Sequence, residues 1–274
     1  MQDSKKQKLK NVLRRICFFI TLFAALKLAS FVFNPVRQHM AGQTSEDLRF
    51  YDALLEEENQ IDILVLGNSE SLTLVSTIDM WREKGYASYI GGQPGQIVPE
   101  TYYSLKEILK TKKPKLVILE THGCISGGTD NDTYVAMRSG LEYCFPVLKY
   151  HSLWKPMITG ARKEFPPCFN GFDIRLDVAP ANPVPAELPG EQTKFSCISK
   201  FYLDKIVSLC EKNDIKLLLV SAPSTTNYNA ATHEEIARYA GDKGVPYIDF
   251  NCLYEEIGID WNYDSLDGGD HINY

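Results

Sequence analysis

The chain has 274 residues, of which 29 are basic and 35 acidic, for a net charge of −6. That length suits one α/β domain with a small addition, and the modest acidic balance argues against a general nucleic-acid binder, which would carry a basic face. With 44% of its residues apolar, the chain can build a sizeable core, as ordinary globular proteins do.

Lys5, Lys6, Lys8, Lys10, Arg14 and Arg15 precede an apolar run from Ile16 to Phe33, broken only by Lys27 and small polar residues. At 1.5 Å per residue the helical run is about 27 Å long, near the ~30 Å hydrocarbon thickness. Residues 1–15 therefore read as a basic cytoplasmic tail and 16–34 as a transmembrane anchor. The positive flank stays inside, so the remainder is expected outside the cytoplasm. No small-x-small cleavage site follows, which favours an uncleaved anchor over a signal peptide. Lys27, near the outer end, is placed to snorkel. Residues 35–60 form a linker in which Leu48, Tyr51, Leu54 and Leu55 recur at helical spacing, so an amphipathic helix is predicted from Thr44 to Asn59.

Ile61 to Leu66 is a short apolar run rich in β-branched residues, long enough for a buried strand and too short for a core helix. Gly67 breaks it, small polar residues follow, and Leu72, Leu74, Val75 and Ile78 resume a pattern that suits a helix face. This predicts strand, tight turn and helix, with Ser69 at the strand's C-terminal end, where open α/β sheets bind ligands. A hydroxyl there lies beside unpaired N–H groups that can stabilise an oxyanion, although Ser is also a good helix N-cap. Further strands are predicted at Ala87 to Ile90, Leu116 to Leu119, Ile215 to Val220 and Val245 to Phe250. Helical stretches run from Val98 to Lys112, up to Glu211, and over Glu234 to Ala240. Strands alternating with helices imply a parallel sheet covered on both faces, a three-layer α/β sandwich.

A long segment, roughly residues 123–193, separates the third and fourth strands. It carries Tyr134, Tyr143, Phe145, Tyr150 and Trp154 and ends in a Pro-rich run. Such a connection is usually functional or disordered. Here it reads either as a cap whose aromatics stack on sugar rings or as a helical excursion with its own small core.

Near the C-terminus, Asp264-Ser265-Leu266-Asp267-Gly268-Gly269-Asp270-His271 is a Gly/Asp-rich loop. A serine needs a base to become nucleophilic at neutral pH, and a histidine oriented by a carboxylate is the usual one. His271 has carboxylates one and four residues before it. Seven cysteines occur without a Cys-x-x-Cys pair. An external compartment permits disulfides, with Cys144, Cys168 and Cys197 as candidates, while Cys210 and Cys252 read as core positions. No His-Glu-x-x-His is present and His39, His122, His151 and His233 are scattered, so no metal site is expected. No P-loop or dinucleotide fingerprint appears either, and no cofactor is expected.

Gly67-Asn68-Ser69, the glycine stretch Gly91-Gly92-Gln93-Pro94-Gly95-Gln96 and the Asp267 to His271 segment together resemble the SGNH/GDSL hydrolase superfamily. Within it the chain looks most like the membrane-anchored extracytoplasmic branch, which includes the lipoteichoic acid D-alanylation protein D and the alginate O-acetylation proteins. Asn68 stands for the usual Asp. Gly268 stands where the acid three residues before the histidine belongs, leaving Asp267 or Asp270. Glu120-Thr121-His122-Gly123 follows the third strand where an asparagine block is usual. The resemblance implies a flavodoxin-like five-stranded parallel sheet over residues 61–274. It implies Ser69 as nucleophile, His271 as base, and Asn68, Gly92, Gly95, Thr121 and His122 around the substrate and oxyanion.

The implied activity is an esterase or O-acyltransferase acting on acyl or acetyl esters of a cell-envelope polysaccharide or related glycan. A membrane-bound O-acyltransferase is an expected partner. The alternative is an inactive binding protein that holds a glycan or docks such a transferase. In the family a helix normally follows the histidine block, whereas this sequence stops at Tyr274. It is expected to be either a C-terminally truncated fragment or a chain whose His loop is held less rigidly than catalysis requires.

Overall fold

The computed structural model describes residues 2–38, 54, 61–125, 132–161, 169–182 and 194–274. Ile63–Leu66 forms strand β1, with every residue buried, because Ile63 and Val65 face one helical layer while Leu64 and Leu66 face the other. That alternation is the period of two of an extended chain. Four more strands, β2 (Ser88–Ile90), β3 (Leu116–Glu120), β4 (Lys216–Ser221) and β5 (Tyr247–Asp249), complete a sheet in the order β2-β1-β3-β4-β5. Every pairing is parallel. The chain runs outward from β1 to β2 and then returns across β1 to β3. That reversal opens a crevice at the C-terminal ends of β1 and β3.

Between β1 and β2 lie the short helices α2 (Ser71–Leu74) and α3 (Thr77–Lys84), and α4 (Val98–Ile108) follows β2. The predicted stretch to Lys112 is shorter as a helix because Leu109 caps it and Lys110 to Lys112 close as turns. After β3 come α5 (His122–Ile125), α6 (Asp132–Cys144), α7 (Val147–Tyr150) and α8 (Trp154–Thr159). Helices α9 (Cys197–Lys212) and α10 (Ala230–Lys243) flank β4, and α11 (Tyr254–Ile257) follows β5. One face of the sheet packs Leu64, Leu66, Val117 and Leu219 against Leu105 and Ile108 of α4, Leu203 and Ile206 of α9, and Ile236 of α10. The other face is thinner: Leu72, Ile78 and Phe172 cover Ile63, Val65, Ile118 and Val220.

The first described part of the long segment after β3, residues 132–159, is a helical excursion packed on α4. Tyr150 and Leu153 enter the main core, Tyr143 stacks on Tyr103 with ring centroids 4.9 Å apart, and Phe145 meets Phe23 edge-on. Tyr134 and Trp154 remain exposed.

Helix α1 (Gln2–Val32) includes the basic tail as well as the apolar run, as Lys-rich stretches are good helix formers. From Lys5 to Val32 it is long and apolar enough to cross a membrane, with little of it buried. Its last turns dock on the α6–α7 junction. Lys27 donates to the Cys144 carbonyl at 2.8 Å and Val147 N–H donates to Ser30 Oγ at 3.3 Å. Lys27 is thus held by the domain. The linker helix predicted from Thr44 to Asn59 lies outside the described residues, apart from Leu54.

Cys17, Cys124, Cys144, Cys197, Cys210 and Cys252 are free thiols, and Cys168 lies outside the described residues. Cys210 is buried as expected, but Cys252 is exposed. The turn after β5 carries it out of the core toward the start of α10.

Candidate active site

Gly67 ends β1 with φ +152°, and a Cβ there would stand 2.6 Å from Glu120 Cβ. Only glycine lets the ends of β1 and β3 approach this closely. Asn68 Oδ1 then accepts Glu70 N–H at 3.2 Å, and Ser71 Oγ donates to the Asn68 carbonyl at 2.6 Å. This turn presents Ser69, half-buried, at the start of α2, with its Oγ 3.5 Å from Glu70 Oε2. The glycine stretch after β2 packs flush against it, since a Cβ on Gly92 would meet Ser71 Oγ at 2.0 Å. Pro94-Gly95 forms a tight turn closed by Gln96 N–H to the Gln93 carbonyl at 3.1 Å, with Gly95 at φ +67°. Among the described residues, the N–H groups of Ser69, Gly92 and Gly95 donate to no protein acceptor.

The histidine loop is a tight closed structure. Ser265 bridges Ile272, and Leu266 N–H bonds the His271 carbonyl at 2.9 Å. The Gly269 carbonyl accepts Thr225 N–H at 2.7 Å and Ser224 Oγ at 3.0 Å. Asp267 Oδ2 lies 2.6 Å from His271 Nδ1, and its Oδ1 accepts His271 N–H at 2.8 Å. Asp270 Oδ2 is farther from that nitrogen, at 3.5 Å. Its Oδ1 instead takes Thr226 Oγ1 at 3.2 Å and the Asn227 amide. Of the two acids, Asp267 orients the ring. Partial burial opposes its ionisation, but the hydrogen bonds from His271 outweigh that and hold the carboxyl below its usual range. His271 Nε2 is buried with no hydrogen-bond partner.

Asn227 joins the two halves. Its Nδ2 donates to Glu70 Oε1 at 2.8 Å as well as to Asp270, so the Ser69 turn and the His271 loop meet across one amide. Glu70 also pairs with His122 Nδ1, with Asn68 Nδ2 alongside at 3.0 Å. Burial raises Glu70 and lowers His122. The ion pair overrides both, leaving Glu70 below and His122 above their ordinary values. His122 Nδ1 thus faces both the Glu70 carboxylate and the Asn68 amide. Glu120, at the end of β3, is almost fully buried, and burial together with the charge of Glu70 pushes it up to about 8. It accepts His122 N–H at 2.8 Å.

Two of the expected oxyanion donors have their N–H groups committed elsewhere. Thr121 N–H bonds the Val220 carbonyl at 3.0 Å and its hydroxyl lies 2.7 Å from Ser221 Oγ. His122 N–H goes to Glu120. The open N–H groups are those on the Ser69 turn and the glycine loop. Glu70, Glu120 and Asn227 belong to this site without having been singled out from sequence. The usable signals were a charge closing an apolar strand, at Glu120, and a polar loop after β4 at the sheet end where sites form. A cavity of about 170 Å³ lined by Glu70, His122, Ser221, Asn227, Tyr228 and Asn251 adjoins them. Among the described residues, two groups of side chains place ligand atoms within 4.8 Å of one another, as a cation would need: Asp267, Asp270 and His271, and His233, Asp249 and Cys252. In both, the histidine Nδ1 lies within hydrogen-bond distance of an aspartate, at 2.6 Å from Asp267 and 2.7 Å from Asp249; only the second also offers a thiol.

No protein-family model matches the sequence. No curated protein matches it by sequence. The structure is similar to that of a putative acylhydrolase from Bacteroides fragilis, 16% identical, with 79% of this chain and 80% of that one covered at a TM-score of 0.38. It is similar to a GDSL-like lipase from Bacteroides thetaiotaomicron at 16% identity, 81% and 85% coverage and a TM-score of 0.39. An acetyl xylan esterase matches at 12% identity, 77% and 91% coverage and a TM-score of 0.40. Likenesses at this level assign no chemistry to this chain.

Proposed function

We propose that this chain is a serine-dependent esterase or O-acyltransferase acting on acyl or acetyl esters of a cell-envelope polysaccharide. The observation that carries the reading is His271, held through Nδ1 by Asp267 at 2.6 Å with its Nε2 buried and unpartnered, at the end of the sheet that also carries Ser69. Ser69 Oγ attacks the ester carbonyl while His271 Nε2 takes its proton. The oxyanion is held by the free N–H groups of Ser69, Gly92 and Gly95. Collapse expels the sugar alkoxide, which recovers the proton from His271. Water or a second hydroxyl then resolves the acyl-serine by the reverse path. Asp267 keeps the imidazole in the tautomer that leaves Nε2 able to accept. Helix α1 anchors the domain outside the cytoplasm, in reach of a membrane-bound O-acyltransferase.

A second reading is an inactive binding module. Glu70 beside Ser69 Oγ, with Asp270 one amide away, places negative charge close to where an oxyanion would form.

Labelling of the full chain in detergent with a fluorophosphonate separates the two. The enzyme reading expects a covalent adduct that disappears in Ser69→Ala and weakens sharply in His271→Ala. A folded protein that takes no label is the binding module.

A further inference from the structure

On the far side of the Ser224 to Asn229 loop from the Ser69 turn, three metal-ligating side chains converge. His233 lies in the first turn of α10, Asp249 ends β5, and Cys252 follows in a 3₁₀ turn (Phe250–Cys252). His233 Nδ1 is 2.7 Å from Asp249 Oδ2 and 3.8 Å from Cys252 Sγ. We propose that these three residues form a binding site for a borderline-soft divalent cation, Zn²⁺ foremost, with water completing the coordination.

The donor set fits. Zn²⁺ takes thiolate, imidazole and carboxylate together, at about 2.3, 2.0 and 2.0 Å. Tetrahedral angles then require ligand atoms roughly 3.3–3.5 Å apart. The His233 spacings to Asp249 and Cys252, 2.7 and 3.8 Å, fall on either side of that range, and all three ligand atoms lie within 4.8 Å of one another. A purely oxygen-seeking cation would leave the thiol unused.

The carboxylate is also held as a ligand should be. Its Oδ1 accepts the backbone N–H and the amide of Asn251, each at 2.9 Å, and Tyr247 O–H donates to Oδ2 at 2.9 Å. Outer bonds of this kind aim a ligand and tune its affinity. The Tyr228 hydroxyl lies 3.6 Å from Cys252 Sγ. A thiol binds Zn²⁺ as the thiolate. Binding therefore releases the thiol proton to solvent. Cys252 is exposed and Asp249 buried, which gives the ion an entry from solvent and a fixed floor. A cation here ties the start of α10 to the exit of β5, and α10 is entered directly from the loop that presents Asn227 to Glu70 and Asp270.

The test is Co²⁺ titration of the full chain in detergent, with Zn²⁺ competition. The expected result is one equivalent bound with a thiolate-to-cobalt charge-transfer absorption, displaced by Zn²⁺. The band should be lost in Cys252→Ser, whose exposed position spares the fold, affinity should fall at least about 10-fold in His233→Ala, and the band should be unchanged in His271→Ala. As a second readout, Zn²⁺ should protect the Cys252 peptide from alkylation in the native protein. A folded chain that shows no thiolate band in excess Co²⁺, or one whose band survives in Cys252→Ser, overturns the proposal. So does Cys252 alkylation that is indifferent to Zn²⁺.

Discussion

Asp267 and Asp270 lie three residues apart in one loop, yet they serve different partners. Gly268 and Gly269 adopt φ +86° and +104° between them, which turns Asp267 back onto His271 and sends Asp270 toward Asn227. No sequence pattern reveals that, because the choice rests on left-handed backbone at two glycines. Asp267→Asn should slow fluorophosphonate labelling by about 10²–10⁴-fold, since the amide favours the wrong tautomer. Asp270→Asn should cost less than about 10-fold, because Asp270 acts on the ring only at longer range. Rate measurements on the two variants decide the assignment, and equal losses would refute it.

Glu120 carries a pH signature. Its folded pKa, about 8, exceeds the ordinary 4.5, so the folded state binds its proton more tightly than the unfolded chain. Its contribution is complete below about pH 4.5 and is lost as pH rises through about 8. The raised His122 works in the same direction above its ordinary 6.5. Glu70, held low, contributes above 4.5 and loses that as pH falls. Melting temperature should therefore decline from pH 6 to 9, with at most about 1.4 kcal/mol per pH unit from the Glu120 proton. Glu120→Gln should flatten the decline, and an unchanged slope would show that Glu120 does not titrate there.

At the scale of elements, the strands were legible because each is a short apolar run closed by a breaker or a polar residue, as Ile61 to Gly67 illustrates. Helices were legible where one face is apolar, as in α4 and α9. Helices α6 to α8 were not, because their aromatics pack outward onto α4 and α1 as well as inward, which blurs any single stripe. The close approach of β1 and β3 at Gly67 was readable only as a break in a run; its reason, the Glu120 side chain beside it, is tertiary. Gly67→Ala should destabilise the domain by about 1–3 kcal/mol, from backbone strain and overpacking together. Gly85→Ala, at φ +69° with no atom within 4 Å, carries only the left-handed backbone cost of about 1–2 kcal/mol. Urea midpoints of the two variants would test the ordering.

Across the whole molecule, the sheet end collects the Ser69 turn, the Glu120–His122 corner, the Asn227 loop and the His271 loop. The C-terminal residues are tied into it as well. Asn273 N–H bonds the Asp264 carbonyl at 3.0 Å, Tyr274 N–H bonds the Arg175 carbonyl at 2.9 Å, and the Tyr274 hydroxyl reaches Asp79 at 3.1 Å. As for the anchor, carbonate washing should leave the full chain with the membrane and release a chain lacking residues 1–33. Release of the full chain would end the anchored reading.

The seating of α1 on the α6–α7 junction carries a spatial consequence. A domain on a loose tether sweeps a hemisphere and meets its target from any side. Here Phe23, Lys27 and Ser30, all within the apolar run, lie against the domain rather than in lipid, and these contacts join the stalk to the head. Asn34 and Val36, just past the stalk, share a cavity of about 200 Å³ with Gln93 of the glycine loop. In the anchored reading the Ser69 turn therefore keeps a set altitude and bearing above the bilayer. A polymer would have to arrive at that level, along one direction, for its ester to be within reach.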